Sequence, residues 1–174
     1  KDICSFLKEK KLVQVKNDVV IATKLKLFTQ FQAYNLEKCV DSSPGLLKIN
    51  DTHVISVGSH SHKLININAE TLAIISHVEL GDQIECEVAQ FKNEGIVGCY
   101  DGFLYSFDAL TGKIIWKYES GGMIKSKPLV ISNELIIFGN YNYNQNIRCI
   151  KVNDNNEIEL KWSKMLGRLG IYAN

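Results

Sequence analysis

Chemistry in this chain would have to come from a small set of residues. His60 and His62 form a His-x-His pair. Residues i and i+2 of an extended strand point to one face, so two imidazoles spaced this way can bind a divalent metal. The sequence shows no third ligand beside them. Asp41 and Ser42, in "KCVDSSPG", have the Asp-Ser order of a serine that takes a phosphopantetheine arm. The glycines that lead such a serine are missing, and Pro44 falls where its helix should run. "SGGMIKS" at residues 120–126 holds glycines, a lysine and a serine, the ingredients of a phosphate loop. Lys125 does not follow a glycine, however, and the loop requires a helix behind it. Asp101 and Asp108 lie in turn-like surroundings and read as turn and strand-end hydrogen-bonding groups. "GNYNYNQN" at 139–146 is polar and aromatic, suited to a partner contact or to a lengthened turn. No G-x-S-x-G, H-E-x-x-H or G-x-G-x-x-G occurs. The expectation is therefore no catalytic residue, no cofactor-binding residue, no bound cofactor and no metal ligand. His60 and His62 are expected in a hairpin turn, and His53 and His77 on the surface.

The elements that would position these residues follow from composition and repeat. The chain has 174 residues, 45% of them apolar, enough for one ordinary core. Its 20 basic and 19 acidic residues are interspersed with no basic stripe, which argues against nucleic acid as a partner. No apolar run of 18 residues exists, so no membrane span is expected. "KDICSFLKEKK" has charges on both sides of a very short apolar core and does not read as a secretory signal. The five cysteines are odd in number, widely spaced and without C-x-x-C, which fits a reducing, cytoplasmic setting rather than a disulfide framework or zinc site. "Asn50-Asp51-Thr52" matches a glycosylation acceptor and reads as a chance match in a turn.

A period of about forty residues runs through the chain. Gly58 stands forty residues before Gly98, and Gly139 stands forty-one after it. Pro44, Val88 and Pro128 keep step, as do Gly81, Gly121 and Gly167. Trp116 is matched by Trp162, with Ser76 in the corresponding place of the first unit. The middle unit reads as four strands, about 84–90, 95–99, 103–108 and 113–118. Asp101-Gly102 predicts a two-residue hairpin, since glycine supplies positive φ without steric cost. Four short strands per forty residues and a late tryptophan predict a β-propeller, each blade burying its faces against its neighbours.

"DGFLYSFDALTGKIIW" resembles the pyrroloquinoline-quinone (PQQ) type of propeller repeat, D-G-x-L-Y-A-L-D-A-x-T-G-x-x-x-W. On "KCVDSSP" at 38–44, "VGSHSHKL" at 57–64 and "VGCYDG" at 97–102, the chain is more closely similar to the C-terminal propeller of the beta-alanine-activating enzyme family, the aminoadipate-semialdehyde dehydrogenase homologues. That resemblance implies an adenylation domain and a carrier domain upstream, further blades downstream, and a parent that activates an amino acid with ATP. The repeat name alone suggests another function, a fragment of a quinone-dependent oxidoreductase. Such enzymes carry calcium ligands, a catalytic Asp and often adjacent cysteines, and no adjacent cysteines occur here.

The sequence thus predicts an all-β fold, a partial propeller of about three four-stranded blades from a ring of seven or eight. A lead-in segment over 1–37 combines a short helix with a hairpin turning at Asn17-Asp18. Blades follow at about 40–80, 81–121 and 122–167, with a fourth beginning over 168–174. The expected role is non-catalytic, an interaction or domain-positioning module whose partners are proteins or neighbouring domains.

Overall fold

The computed structural model describes residues 13–16, 19–22 and 32–167. The chain divides into two compact units, residues 1–34 and 35–174. In the first, β1 (Val13–Lys16) and β2 (Val19–Ala22) pair antiparallel, with Lys16 opposite Val19. The expected amino-terminal helix, the turn at Asn17-Asp18 and the strand expected over 168–174 lie outside the described residues.

The second unit holds three four-stranded antiparallel sheets, each a meander in chain order. The first contains β3 (Gly45–Ile49), β4 (Thr52–Gly58), β5 (Lys63–Asn68) and β6 (Ile74–Glu79). The second contains β7 (Ala89–Phe91), β8 (Glu94–Gly98), β9 (Phe103–Phe107) and β10 (Ile114–Glu119). The third contains β11 (Leu129–Val130), β12 (Leu135–Gly139), β13 (Ile147–Val152) and β14 (Ile158–Lys164). No helix occurs among the described residues. The landmarks are equivalent in space: Gly58, Gly98 and Gly139 each end the second strand of a sheet. The pairing of third and fourth strands slips at one place in every sheet, after Asn66, Ile114 and Cys149.

Burial follows from stacking. Strand β9 is shielded on both faces, with Leu104, Tyr105, Ser106 and Phe107 all buried, because its sheet lies between the other two. Val97, Tyr105 and Phe107 pack with Leu47, Val54, Leu64 and Val78 of the first sheet. On the opposite face Phe91, Ile96, Leu104 and Trp116 pack with Ile136, Phe138, Ile150 and Val152 of the third. Trp116 meets Phe91 edge to face, ring centroids 6.5 Å apart. In the first sheet Ser76 takes the tryptophan's place in a buried polar chain. Ser56 Oγ donates to Asn66 Oδ1, Asn66 Nδ2 donates to Ser76 Oγ, and Ser76 Oγ donates to the Ala109 carbonyl of the next sheet. Trp162, on the outer face of the third sheet, is 38% exposed where Trp116 is 7%.

The first strand of the middle sheet is shorter than the alternation predicts. Residues 84–88 carry the chain between sheets instead of pairing. The Ile84 amide donates to the Ser59 carbonyl (3.1 Å), and its side chain sits on Gly58, where an added Cβ would collide with Ile84 Cγ2. Ile124 repeats this on Gly98, its amide bonded to the Cys99 carbonyl at 3.1 Å. The Asp101-Gly102 turn also differs from expectation. Gly102 has φ 88°, but the loop is the four residues between β8 and β9, closed by Gly102 N donating to Cys99 O at 3.2 Å. Asp101 lacks the positive φ of a two-residue hairpin because its carboxylate is engaged by the Phe103 amide and the Tyr105 hydroxyl. His62 occupies the place of Gly102, with φ 68°, one of the residue types that tolerates it.

Gly98→Ala is expected to destabilise the fold by about 1–3 kcal/mol through overpacking against Ile124. Combined with Ile124→Ala, the losses should sum to less than their separate values in denaturant unfolding; full additivity would mean the two do not meet. Trp116→Ala should cost about 3–5 kcal/mol by emptying the space between sheets. Trp116→Phe should cost less, since the buried indole N–H has no acceptor to lose. An alanine variant losing under 1 kcal/mol would contradict this packing.

Candidate functional site: a polar ladder across the blade links

Two sets of repeat-equivalent residues meet at one end of the sheets. Asp41, Glu85 and Lys125 occupy the same position in the links that enter β3, β7 and β11. His60, Tyr100 and Tyr141 follow the glycines that end β4, β8 and β12. Backbone bonds hold each turn to its links: His60 N donates to Cys39 O (2.9 Å), Tyr100 N to Gln83 O (3.1 Å) and Tyr141 N to Met123 O (2.9 Å). Because the glycines let successive links approach closely, the two sets interleave in the order Asp41, His60, Glu85, Tyr100, Lys125, Tyr141.

His60 Nε2 lies 3.3 Å from Asp41 Oδ2 and 3.1 Å from Glu85 Oε1. Glu85 Oε2 is 3.4 Å from Lys125 Nζ. The Lys125 ammonium stands over Tyr100, 4.4 Å from the ring centroid, and 5.4 Å from that of Tyr141, a cation held by two aromatic faces. Burial lowers the Lys125 ammonium's pKa, but the Tyr100 hydroxyl and the Glu85 carboxylate outweigh it and hold it above the ordinary lysine value. Burial, with Glu85 beside it, pushes the Tyr100 phenol up as well. A parallel rung joins Lys127 Nζ to the Glu87 carboxylate. Between the rungs, residue 42, 86 or 126 turns inward. Ser42 Oγ donates to the Cys86 carbonyl (3.0 Å), and Cys86 Sγ donates to the Ser126 carbonyl (3.1 Å). Burial pushes the Cys86 thiol up to about 12, and that of Cys99 to about 12.

The residues singled out from sequence separate in the structure. His62 parts from His60 and lies 3.7 Å from Asp82 Oδ1, so the pair shares no site. The acids that face His60 are 19 and 25 residues away in sequence, and only an alignment of the three links against the three turns could have revealed them. His53 and His77 are exposed. Ser42 is 6% exposed and bonded across the link, inaccessible to a carrier arm. Gly121 and Gly122 border an open hollow that also presents Asp101 and Glu119, whose carboxylates repel phosphate. In "GNYNYNQN" the asparagines are structural. Asn140 Nδ2 donates to Ser120 O (2.8 Å), and Asn146 Oδ1 accepts from the Leu166 amide (2.8 Å). This loop has seven residues between β12 and β13 against four between β8 and β9, and leaves Tyr143 exposed.

Asp108 closes the third strand of its sheet, accepting from the Leu110 amide (2.8 Å) and the Thr111 hydroxyl (2.8 Å). Asn68 and Asn153 make the same turn in the other sheets. Partial burial raises the Asp108 pKa, but the bonds from Thr111 and Leu110 prevail and hold it below its ordinary value. A carboxyl lowered in the folded state stabilises fully above its unfolded value of 3.8 and loses that contribution as pH falls through the folded one. Asp108→Asn is therefore expected to keep the turn and to lose less stability than the parent between pH 6 and 3, read as urea midpoints. Identical losses would remove Asp108 from the acid response.

No family model matches the chain. Over 142 residues, 80% of its length, it is 34% identical to the Beta-alanine-activating enzyme of Drosophila melanogaster, and it spans 13% of that protein. Among solved structures, BamB from Moraxella catarrhalis aligns with a TM-score of 0.61 and 25% identity, covering 77% of this chain and 39% of BamB. A chain of the mitotic checkpoint complex aligns with a TM-score of 0.62 and 12% identity, covering 74% of this chain and 42% of that one. Both neighbours are β-propellers, so the three sheets are propeller blades, similar in sequence to a short stretch of a much longer enzyme.

Proposed function

We propose that this chain is a non-catalytic propeller module, of the PQQ repeat type, within a cytoplasmic adenylate-forming enzyme. That enzyme activates an amino acid such as beta-alanine with ATP and loads it onto the phosphopantetheine thiol of a carrier domain. The module's task is to position the adenylation and carrier domains or to bind a protein partner. The 34% identity to Beta-alanine-activating enzyme along 80% of the chain carries this reading. The fate of the motif residues supports it: Ser42, Gly121, Asp101 and Asp108 are taken up by blade packing and turns. No helix among the described residues is long and apolar enough to cross a membrane.

The test is binding of the chain to the Drosophila melanogaster enzyme from which the stretch matching this chain has been removed, followed by sedimentation. A saturable 1:1 complex is expected, together with no saturable quenching of Trp116 and Trp162 emission by pyrroloquinoline quinone. Saturable quenching without complex formation would replace this reading by the quinone-dependent oxidoreductase.

A further inference from the structure

We propose that Asp41, His60 and Glu85 form a binding site for a divalent transition-metal cation, Zn2+ by the chemistry of its donors, at the link between the first two blades. One ligand atom from each residue lies within 4.8 Å of the others, with His60 Nε2 3.3 Å from Asp41 Oδ2 and 3.1 Å from Glu85 Oε1. Zinc held at about 2.0–2.1 Å by nitrogen and oxygen in a tetrahedron requires ligand atoms roughly 3.3 Å apart. The nitrogen is already spaced for a shared cation.

His60 Nε2 is shielded from solvent and makes no hydrogen bond, although two carboxylates stand beside it. A simple imidazole–carboxylate pair would align the N–H with one acceptor. Lying between two acceptors and bonded to neither suits a nitrogen whose lone pair is directed at a metal.

Outer contacts orient the ligands. Asp41 Oδ1 accepts from the Cys39 thiol at 2.9 Å, leaving Oδ2 toward His60. Glu85 Oε2 faces Lys125 at 3.4 Å, leaving Oε1 toward His60. Each carboxylate thus has one oxygen tethered and one free for coordination, the arrangement that fixes ligand geometry around bound metals. The turn bearing His60 is tied to both links, through His60 N to Cys39 O (2.9 Å) and Ile84 N to Ser59 O (3.1 Å).

Charge along the ladder points the same way. At the second link the equivalent of Glu85 is Lys125, and its ammonium supplies the cation facing Tyr100. At the first link that place holds Glu85, an acid, and the aromatic is replaced by His60. Asp41 and Glu85 bring two carboxylates to one imidazole, and Lys125 offsets one of those charges, so the cluster keeps an excess of negative charge that attracts a divalent cation. Imidazole among the donors favours zinc over calcium or magnesium, which prefer oxygen alone. The Asp41 side chain is 52% exposed, so a fourth position opens to solvent.

The test is calorimetric titration of the metal-free chain with Zn2+, with Co2+ as a spectroscopic probe. Expected are one site per chain, a rise in melting temperature, and intense visible Co2+ bands of four-coordinate geometry. His60→Asn and Glu85→Gln should each weaken binding at least about tenfold while circular dichroism shows the parent fold, and His62→Asn should bind like the parent. Absence of saturable one-to-one binding, binding of Ca2+ in preference to Zn2+, or equal affinity in folded His60→Asn would overturn the proposal. So would loss of binding in His62→Asn alone. Should a variant fail to fold, the parent's Co2+ spectrum still decides, because octahedral bands would exclude this site.

Discussion

The close approach of one blade's link to the preceding blade's glycine sets every other relation in this structure. Ile84 lies on Gly58 and Ile124 on Gly98, in contact so tight that one added methyl has no room. Each link then runs directly beside the turn that follows the glycine. Hydrophobic burial supplies the driving force for stacking, but it is non-directional. The glycine contact fixes the spacing, and the amide bonds beside it, Ile84 to Ser59 and Ile124 to Cys99, fix the register. The ladder from Asp41 to Tyr141 is a result of that register.

Much of this was legible in the chain because repetition is one-dimensional. Gly58, Gly98 and Gly139 recur at near-constant spacing, and they occupy equivalent strand ends. A residue's role is hidden from the sequence wherever a neighbouring blade sets it. Residues 84–88 alternate like a strand, yet Ile84 and Cys86 are turned to the packing of links rather than to a sheet edge. Asp101-Gly102 has the composition of a tight hairpin, but the carboxylate's bonds to Phe103 and Tyr105 widen it. His60 and His62 are neighbours in the sequence and strangers in the structure, because positive φ at His62 ends the alternation that would align them. The acids that face His60 come from two separate links, a juxtaposition no local pattern contains.

The three blades are unequal despite their common plan. The middle blade fills its outer wedge with Trp116, while the first uses the polar chain of Ser56, Asn66 and Ser76. A large aromatic tolerates small shifts between sheets. A fully satisfied chain of buried hydrogen bonds does not, since an unpaired member would be costly. The packing of the first blade on the second is therefore the more exacting joint.

The inward-facing thiols have a consequence of their own. Cys86 and Cys99 are buried between blades, and Cys39 is exposed at the rim. A thiol kept protonated and covered is inert toward alkylating reagents. Cys39 is open to such reagents, with the bond it donates to Asp41 holding its thiol pKa up, whereas Cys86 would react only when its link lifts from the next blade. The slow second wave of labelling would be a clock for the separation of neighbouring blades, built into the chain without any added probe.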